Sequence, residues 1–325
     1  MTEFSPSITS YEDEDGHRFR YALVRNTGAS TLGVHFSAFS NRPFLWGPNR
    51  SPRNAPGYFQ RLRMLGSDPT HHWLFICEEF GADGDGTYYT GERGDFFVER
   101  AVRRIIRTVL DQLGIEPHET VMIGSSGGAT GALKFALEFD CRGVVAICPH
   151  IDLDICAALQ GRMAHVAFIC PDSDPLSEAN HLYTRQISRL LDGRIAEGDT
   201  LPHLYVQSCR DDHGVFDEQV VPLVRTWSKA GQVEFDIRPV GGHTSDWAPR
   251  ALLLDAVNRI LADEVCDVEA YQTDPRFAGT RTRTPLWLRT RYRLGDIKRA
   301  LVRAAERRRA EARRKVPPPQ PRGDG

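Results

Sequence analysis

The stretch Val121-Met-Ile-Gly-Ser-Ser-Gly-Gly-Ala129 decides the fold of this chain. Residues 119–124 have the length and apolar character of a central parallel strand, and a helical pattern over 128–139 follows at once. Between them stands Gly124-x-Ser126-x-Gly128. A buried strand that turns this sharply into a helix strains the residue at the apex and exposes its side chain above the sheet. We therefore predict a nucleophile elbow with Ser126 at its apex.

The alternative for this stretch is a glycine-rich turn that binds a phosphate or only packs. A phosphate-binding loop would place a Lys after its glycines, whereas Ala129-Thr130 follows here. Side chains at Gly124 and Gly128 would collide with the neighbouring backbone at so tight a turn. The glycines therefore favour the elbow.

Strand and helix patterns alternate over most of the chain. Strands are predicted at 20–25, 32–39, 73–78, 121–124, 144–148, 166–170, 204–208 and 233–240. Helices are predicted at 96–113, 128–139, 177–191, 217–230 and 249–264. This alternation predicts an α/β fold, a mostly parallel central sheet flanked by helices, without a large cap.

The domain organisation follows from the same pattern. The first two predicted strands are joined without room for a helix, so we expect them to pair antiparallel at one edge. We place an N-terminal segment at 1–19, the α/β domain at 20–270 and a basic helical extension at 271–325, with a disordered end.

A nucleophilic Ser126 needs a base and an acid, and the chain order serine, acid, histidine is one of those known. His243 follows the last predicted strand after two glycines and is the candidate base. Asp211 is the first choice for the acid, because it follows the strand 204–208, and Asp212 is the second. A more remote pair of candidates follows 166–170, namely Asp172 and Asp174.

Acyl transfer also needs N–H donors for the tetrahedral oxyanion. The backbone of Gly127, directly after the nucleophile, is the first candidate. The end of the early strand 32–39 offers the second, from the backbone at Ser37 or Ala38. This chemistry requires no cofactor and no metal.

Composition narrows the protein class. No apolar run reaches membrane-spanning length, and the first residues lack the basic and apolar parts of a secretory signal. The seven cysteines are scattered, without a CxxC pattern, as expected of free thiols in a reducing compartment. We therefore expect a cytoplasmic protein.

Charge is distributed unevenly. The chain holds 41 Lys and Arg against 43 Asp and Glu, but residues 276–325 hold 16 of the former and 4 of the latter. Apolar anchors stand among these arginines: Trp287, Leu288, Tyr292, Leu294, Ile297 and Leu301. Such a segment, 276–315, suits an anionic membrane surface, here the inner face, or an acidic partner. A solvated helix is the alternative, and no nucleic-acid motif supports binding to RNA.

The elbow Gly124-Ser-Ser-Gly-Gly128, the pair Asp211-Asp212 and His243 together resemble the α/β-hydrolase superfamily over about residues 20–265. The opening Asp95-Phe-Phe-Val-Glu99 of a helix is similar to a bacterial group tied to surface-glycan assembly. That group includes capsular polysaccharide biosynthesis hydrolase-like proteins and the acyl-transferring component of accessory secretion systems. Family members show a glycine-rich oxyanion loop where this chain has His35-Phe-Ser-Ala-Phe39.

The resemblance implies hydrolysis or transfer of an ester, with an O-acyl group of a surface glycan or another small ester as substrate. Two other functions stay open. A hydrolase-fold protein without catalysis would act as a scaffold in a glycan-assembly or membrane complex. A peptidase or thioesterase would use the same three side chains on another substrate.

Overall fold

The structure is a computed structural model that describes residues 6–39, 59–81, 84, 86–172, 174–212, 214–238, 240–243 and 248–264. All of them belong to the first of two units into which the chain divides, Met1–Thr280. The basic extension, and with it the predicted boundary at 270, lies outside the described residues.

A sheet of eight strands forms the centre of the fold. The strands are β1 Ser7–Glu12, β2 Arg18–Val24, β3 Leu32–Phe36, β4 His72–Ile76, β5 Thr120–Ser125, β6 Gly143–Ile147, β7 His203–Cys209 and β8 Val233–Arg238. Their order in the sheet is β1-β2-β4-β3-β5-β6-β7-β8. Only the pairs β1–β2 and β2–β4 are antiparallel. The predicted fold class, a mostly parallel sheet flanked by helices, is confirmed.

Helices cover both faces of this sheet. Their bounds are α1 Leu62–Gly66, α2 Phe97–Leu113, α3 Gly127–Phe139, α4 Leu153–Gln160, α5 Met163–Ile169, α6 His181–Thr184, α7 Gln186–Glu197, α8 Val221–Trp227 and α9 Arg250–Leu261. Short 3-10 turns, Pro117–Glu119 and Glu178–Asn180, and a π turn, Phe216–Val220, complete the described elements.

The alternation of side chains along β5 explains the two layers. Met122 joins the apolar core beneath α2, α3, α7 and α8, whereas Val121 and Ile123 join the core beneath α9. All six residues of β5 are buried. A strand buried on both faces reads as a continuous apolar run, which is why its position could be predicted. Because β5 is held inside the sheet over its whole length, the position of Ser126 directly after it is fixed as well.

Three predictions about the elements are wrong. Residues 166–170 belong to helix α5 and not to a strand; Val166, Ile169 and their neighbours pack with α4 in a small separate core. The run is apolar at helical as well as strand spacing, so its composition did not separate the two. Asp172 and Asp174, which follow this run, therefore do not stand at a strand end.

The pairing of the first two predicted strands is also wrong. β2 pairs with β4, and β3 lies beyond β4, parallel to it. The connection between β3 and β4 is long enough for the crossover that a parallel pair needs. The N-terminal segment is not separate, because β1 pairs with β2 over its whole length.

The connection from β6 to β7 holds short helices in place of a large cap. Leu153, Cys156 and Ala157 of α4 pack against Val166 and Ile169 of α5 and against Tyr88, with Phe39 at the edge. This small core stands at the same end of the sheet as the elbow. In the described part of the chain, no helix has the length and apolar character needed to cross a membrane.

Candidate active site

The backbone at Ser126 has the strained geometry predicted for an elbow. Ser126 has φ 55° and ψ −125°, and its N–H donates to the Ile147 carbonyl of the neighbouring strand at 2.9 Å. Such a conformation costs a residue other than glycine about 1–3 kcal/mol. The side chain is partly exposed at the start of α3.

Two glycines allow the turn to close. A Cβ at Gly124 would lie 2.1 Å from the Gly128 carbonyl oxygen, and one at Gly128 would lie 2.4 Å from the Phe36 carbonyl oxygen. Backbone atoms cannot move aside as a side chain can, so both positions exclude any larger residue. The close approach of Phe36 also brings the end of β3 against the elbow.

His243 links the serine to a carboxylate. Its Nε2 lies 2.7 Å from Ser126 Oγ, and its Nδ1 lies 2.8 Å from Asp212 Oδ2. Because a carboxylate only accepts, Nδ1–H donates to Asp212, and the neutral ring then accepts the serine hydroxyl proton at Nε2. Asp212 is 3% exposed and His243 26%, so the acid is shielded while the base faces the site.

Asp211, the first choice for the acid, does not contact His243. Its Oδ1 accepts the N–H groups of Gly241 and Gly242 at 2.9 and 2.7 Å. The N–H of Asp212 donates to the Cys209 carbonyl in a turn that follows β7, and this turn directs the second carboxylate inward. The second choice, Asp212, therefore occupies the position expected of the acid, and Asp211 holds the loop that carries His243.

The predicted oxyanion donors differ in availability. No described residue accepts the N–H of Gly127, at the start of α3, where the helix dipole also favours negative charge. Ser37 N–H donates to the Ile76 carbonyl at 3.0 Å, so the sheet occupies it. Ala38 N–H donates to Gln60 Oε1 at 3.0 Å, an acceptor that a substrate oxygen can replace. Of the two candidates for the second donor, Ala38 fits and Ser37 does not.

A polar network that the sequence did not reveal lies behind the elbow. Arg61, in a left-handed conformation, donates to Ser125 Oγ at 2.8 Å and to Nε2 of buried His35 at 3.3 Å. Burial lowers the pKa of His35 well below its ordinary value, and the charge of Arg61 lowers it further. A neutral His35 therefore accepts from Arg61, which in turn holds Ser125, the residue before Ser126.

Two further polar side chains, His150 and Tyr88, lie on the side of His243. The ring of His150 is stacked on that of His243 at 4.8 Å, and the ring of Tyr88 lies 5.7 Å from His150. Both stand in connections between elements, where no periodic pattern marks them. Sequence reasoning missed them for that reason.

Metal ligation would compete with the hydrogen bonds of the site. Cys148, Asp212 and His243 offer ligand atoms within 4.8 Å of one another. Two of these three side chains already hold each other and Ser126. Asp13, Asp15 and His17 form a second such group in the β1–β2 hairpin, where Asp13 already accepts from His17.

Similarity to known proteins was found in structure alone. No protein-family model and no curated protein sequence matches this chain. Its structure is similar to the capsule O-acetyltransferase of Neisseria meningitidis serogroup A, with a TM-score of 0.54 and 18% identity over 78% of this chain and 94% of the other. The Gap123 glycosylation-associated complex from Streptococcus agalactiae gives 0.52 and 14%, over 85% of this chain and 48% of the other.

A third similar structure is a peptidase. The acylaminoacyl peptidase of Pyrococcus horikoshii gives a TM-score of 0.58 and 14% identity, over 82% of this chain and 43% of the other. Identities this low show a shared fold. The strand order, the elbow after β5 and these similarities together show that the chain has the fold of the α/β-hydrolase superfamily.

Proposed function

We propose that this protein is a serine esterase or acyltransferase in which Ser126, His243 and Asp212 form the catalytic triad. The observation that supports this most is the unbroken hydrogen-bond chain from Ser126 Oγ through the imidazole to Asp212, at 2.7 and 2.8 Å. The chain starts at a strained serine on the N-terminus of a helix, the position that nucleophiles occupy in this fold.

The reaction would proceed in two steps. Ser126 Oγ attacks the ester carbonyl while His243 Nε2 takes its proton, and the Asp212 carboxylate stabilises the imidazolium. The N–H of Gly127, joined by that of Ala38 once Gln60 moves, donates to the oxyanion. His243 then protonates the leaving alcohol. Water or a hydroxyl group, deprotonated by His243, releases the acyl group from Ser126.

An O-acyl group on a glycan or another small ester is the proposed substrate. The likeness to a capsule O-acetyltransferase and to a glycosylation-associated complex supports this choice, although both likenesses are of fold. The small core of α4 and α5 leaves no large cap over Ser126 among the described residues, which suits an ester on an extended sugar chain.

Hydrolysis of matched substrates tests the proposal. Purified protein would be given p-nitrophenyl acetate, an O-acetylated monosaccharide, an acyl thioester and an acylated dipeptide, with Ser126→Ala as the control. We expect release of acetate from the sugar and from p-nitrophenyl acetate, and none from the variant. Turnover of the thioester or the peptide alone would contradict the proposed substrate class and would indicate a thioesterase or a peptidase. A folded protein that turns over none of them would favour the non-catalytic scaffold.

We also propose that residues 276–315 attach the protein to an anionic surface, with the inner membrane face as the candidate. The excess of Arg and Lys and the interspersed apolar residues support this proposal. Co-sedimentation of the full chain with anionic but not with neutral vesicles is expected. Replacing Arg307, Arg308 and Arg309 by Ala should weaken it, and equal binding to both vesicles would contradict the proposal.

A further inference from the structure

Three polar side chains beside the triad have no role in the proposed reaction steps. They are Tyr88, His150 and Arg162. A chain of ring contacts connects them with the site: His150 stacks on His243, Tyr88 lies against His150, and Phe39 packs on Tyr88 at 4.5 Å. The guanidinium of Arg162 lies over the ring of Phe39 at 5.8 Å.

The imidazole of His150 is buried, and the Gln160 side chain is a hydrogen-bond partner for one of its two nitrogens. The residue is 1% exposed, and at least one of its ring nitrogens, Nδ1 or Nε2, has no partner among the described residues. Its backbone is fixed, because Thr130 Oγ1 donates to the His150 carbonyl at 2.8 Å. Buried polar groups in native proteins are normally paired, and an unpaired one next to a nucleophile is a group that a ligand can satisfy.

Tyr88 repeats this situation. It is fully buried, its hydroxyl has no described partner, and its backbone has φ 56°. Glu78 accepts the N–H groups of Thr87 and Tyr89 on either side of it and thereby holds the strained turn. Burial raises the pKa of the Tyr88 hydroxyl well above its ordinary value, so that group remains a donor at neutral pH.

Arg162 contributes positive charge that no acidic residue in the described part of the chain pairs with. No described acidic residue forms an ion pair with it, and it is half-buried at the start of α5. The acidic side chains of α4 and its cap are engaged elsewhere: Asp154 binds Arg185 at 2.6 Å, and Asp152 accepts from Ser188 at 2.6 Å.

The position of Phe39 relates this charge to the reacting atoms. A Cβ at Gly127 would lie 2.9 Å from the Phe39 ring, so the ring over which Arg162 lies also packs close to the proposed oxyanion donor. The ring of His150 stands on the other side, against His243. The three polar groups are therefore connected with Gly127 and His243, on either side of Ser126, through the rings of Phe39 and His150.

We propose that Tyr88, His150 and Arg162 form a subsite for an anionic group, a carboxylate or a phosphate, on the substrate of Ser126. The inference rests on the proposed function and narrows its substrate class to acidic esters. Each of the three side chains can donate to oxygen, and an anion offers several acceptors at once. An anionic substrate would give Arg162 a counterion that none of the described residues supplies.

The electrostatics of His150 agree with this assignment. Burial lowers the pKa of His150 well below its ordinary value, and the charges of His243 and Arg162 lower it further, whereas a hydrogen bond with the Gln160 side chain raises it. The free ring is therefore neutral and can donate one N–H. A bound anion would offset the neighbouring positive charge and fill the unpaired position.

Calorimetric titration of the full-length protein tests the subsite directly. Glucuronate, glucose 6-phosphate and neutral glucose serve as ligands that share a ring and differ in charge. At least one anion should bind about tenfold more tightly than glucose, since charged hydrogen bonds exceed neutral ones. The tighter of the two anions identifies the source of charge as a carboxylate or a phosphate.

Three variants complete the test. Arg162→Gln should reduce the anion preference to within about threefold of glucose, and Arg162→Lys should retain most of it because the charge remains. Arg189→Gln, at an exposed arginine of the cleft between α2 and α7, is the matched control and should behave as wild type. Thermal unfolding of each variant verifies its fold.

Labelling of Ser126 by a fluorophosphonate in the same samples separates the two proposals. If Ser126 is labelled but glucose binds as tightly as both anions, or Arg162→Gln leaves their affinity unchanged, the subsite is wrong and the proposed function stands. If the anions bind through Arg162 and folded wild-type protein is not labelled, the proposed function is wrong and only an anion site remains.

Discussion

At the scale of single residues, the two adjacent carboxylates after β7 have different roles. Asp212 accepts from His243, and Asp211 accepts from the backbone of Gly241 and Gly242. In the proposed triad, one carboxylate fixes the tautomer of His243 and stabilises its charged form, and the other fixes the loop that carries His243. Their neutral amide variants should therefore affect catalysis to different extents.

We expect Asp212→Asn to lower kcat for p-nitrophenyl acetate by about 10³ to 10⁴, because the ring would no longer be held in the required tautomer. Asp211→Asn keeps an acceptor for the loop and should lower kcat about tenfold or less. Steady-state kinetics of the two purified variants checks this order. The opposite order would return the role of the acid to Asp211.

The limits of sequence reasoning are clear at this pair. The spacing of the elbow and the place of His243 after the last strand identified two side chains that the structure joins. The choice between Asp211 and Asp212 depends on the backbone turn after Cys209. The sequence does not show which of the two adjacent carboxylates this turn directs towards His243. Ser37 was misjudged for a similar reason, since only the register of β3 with β4 shows that its N–H is occupied.

At the scale of elements, a buried lysine joins three helices. Lys134 on α3 is 1% exposed and donates to Glu99 on α2 at 3.1 Å and to Gln186 on α7 at 3.2 Å. It also donates to the Tyr89 carbonyl at 2.7 Å. This single ammonium group therefore fixes the helices relative to the turn that contains Tyr88.

Lys134→Met should destabilise the protein by about 3 kcal/mol, because Glu99 and the Tyr89 carbonyl would lose a buried partner. Chemical denaturation of the variant measures the change in the free energy of unfolding. The same substitution at an exposed lysine, Lys229→Met, is the control. A loss below about 0.5 kcal/mol, as expected of a surface residue, would show that the ammonium does not stabilise the helices.

Elements were predicted correctly where the apolar residues had the spacing of a helix or of a strand alone. They were predicted incorrectly where the apolar residues fitted both spacings. β5 and α2 have unambiguous patterns and lie within one or two residues of their predicted bounds. The apolar residues of 166–170 fit the spacing of a strand as well as that of a helix. In the structure this segment is a helix that packs against α4. β1 was missed because its residues are nearly all exposed, so its pairing with β2 leaves no apolar alternation.

At the scale of the whole molecule, one buried carboxyl makes stability depend on pH. Burial raises the pKa of Glu78 to about 7, although the donors Thr87 and Tyr89 and the charge of Lys134 lower it. The unfolded carboxyl titrates near 4.5. Between these two values the folded protein binds a proton that the unfolded chain has released, so the contribution of Glu78 to stability falls as pH rises.

Between pH 4.5 and 7.5, we therefore expect the free energy of unfolding of wild type to fall by on the order of 2 kcal/mol relative to that of Glu78→Gln. Denaturation midpoints and slopes measured at several pH values give this difference. Parallel pH dependence of the two proteins would show that Glu78 has an ordinary pKa in the folded state.

The fold of the molecule could be predicted from its sequence, whereas its substrate could not. The α/β-hydrolase fold followed from the alternation of strands and helices and from the elbow, and the sheet order confirms it. The likeness to solved structures at 14–18% identity extends to the fold and not to the substrate. The proposed anion subsite depends on side chains such as Tyr88 and His150, which come from separate connections and meet only in three dimensions.

The most direct test of the central claim is the mass that a fluorophosphonate adds to the intact protein. We predict one added phosphonyl group on wild type, located on Ser126 by peptide mapping, and none on Ser126→Ala. His243→Ala should react far more slowly, because nothing would take the serine proton. Equal labelling of wild type and Ser126→Ala, or no labelling of folded wild type, would contradict a Ser126–His243–Asp212 triad.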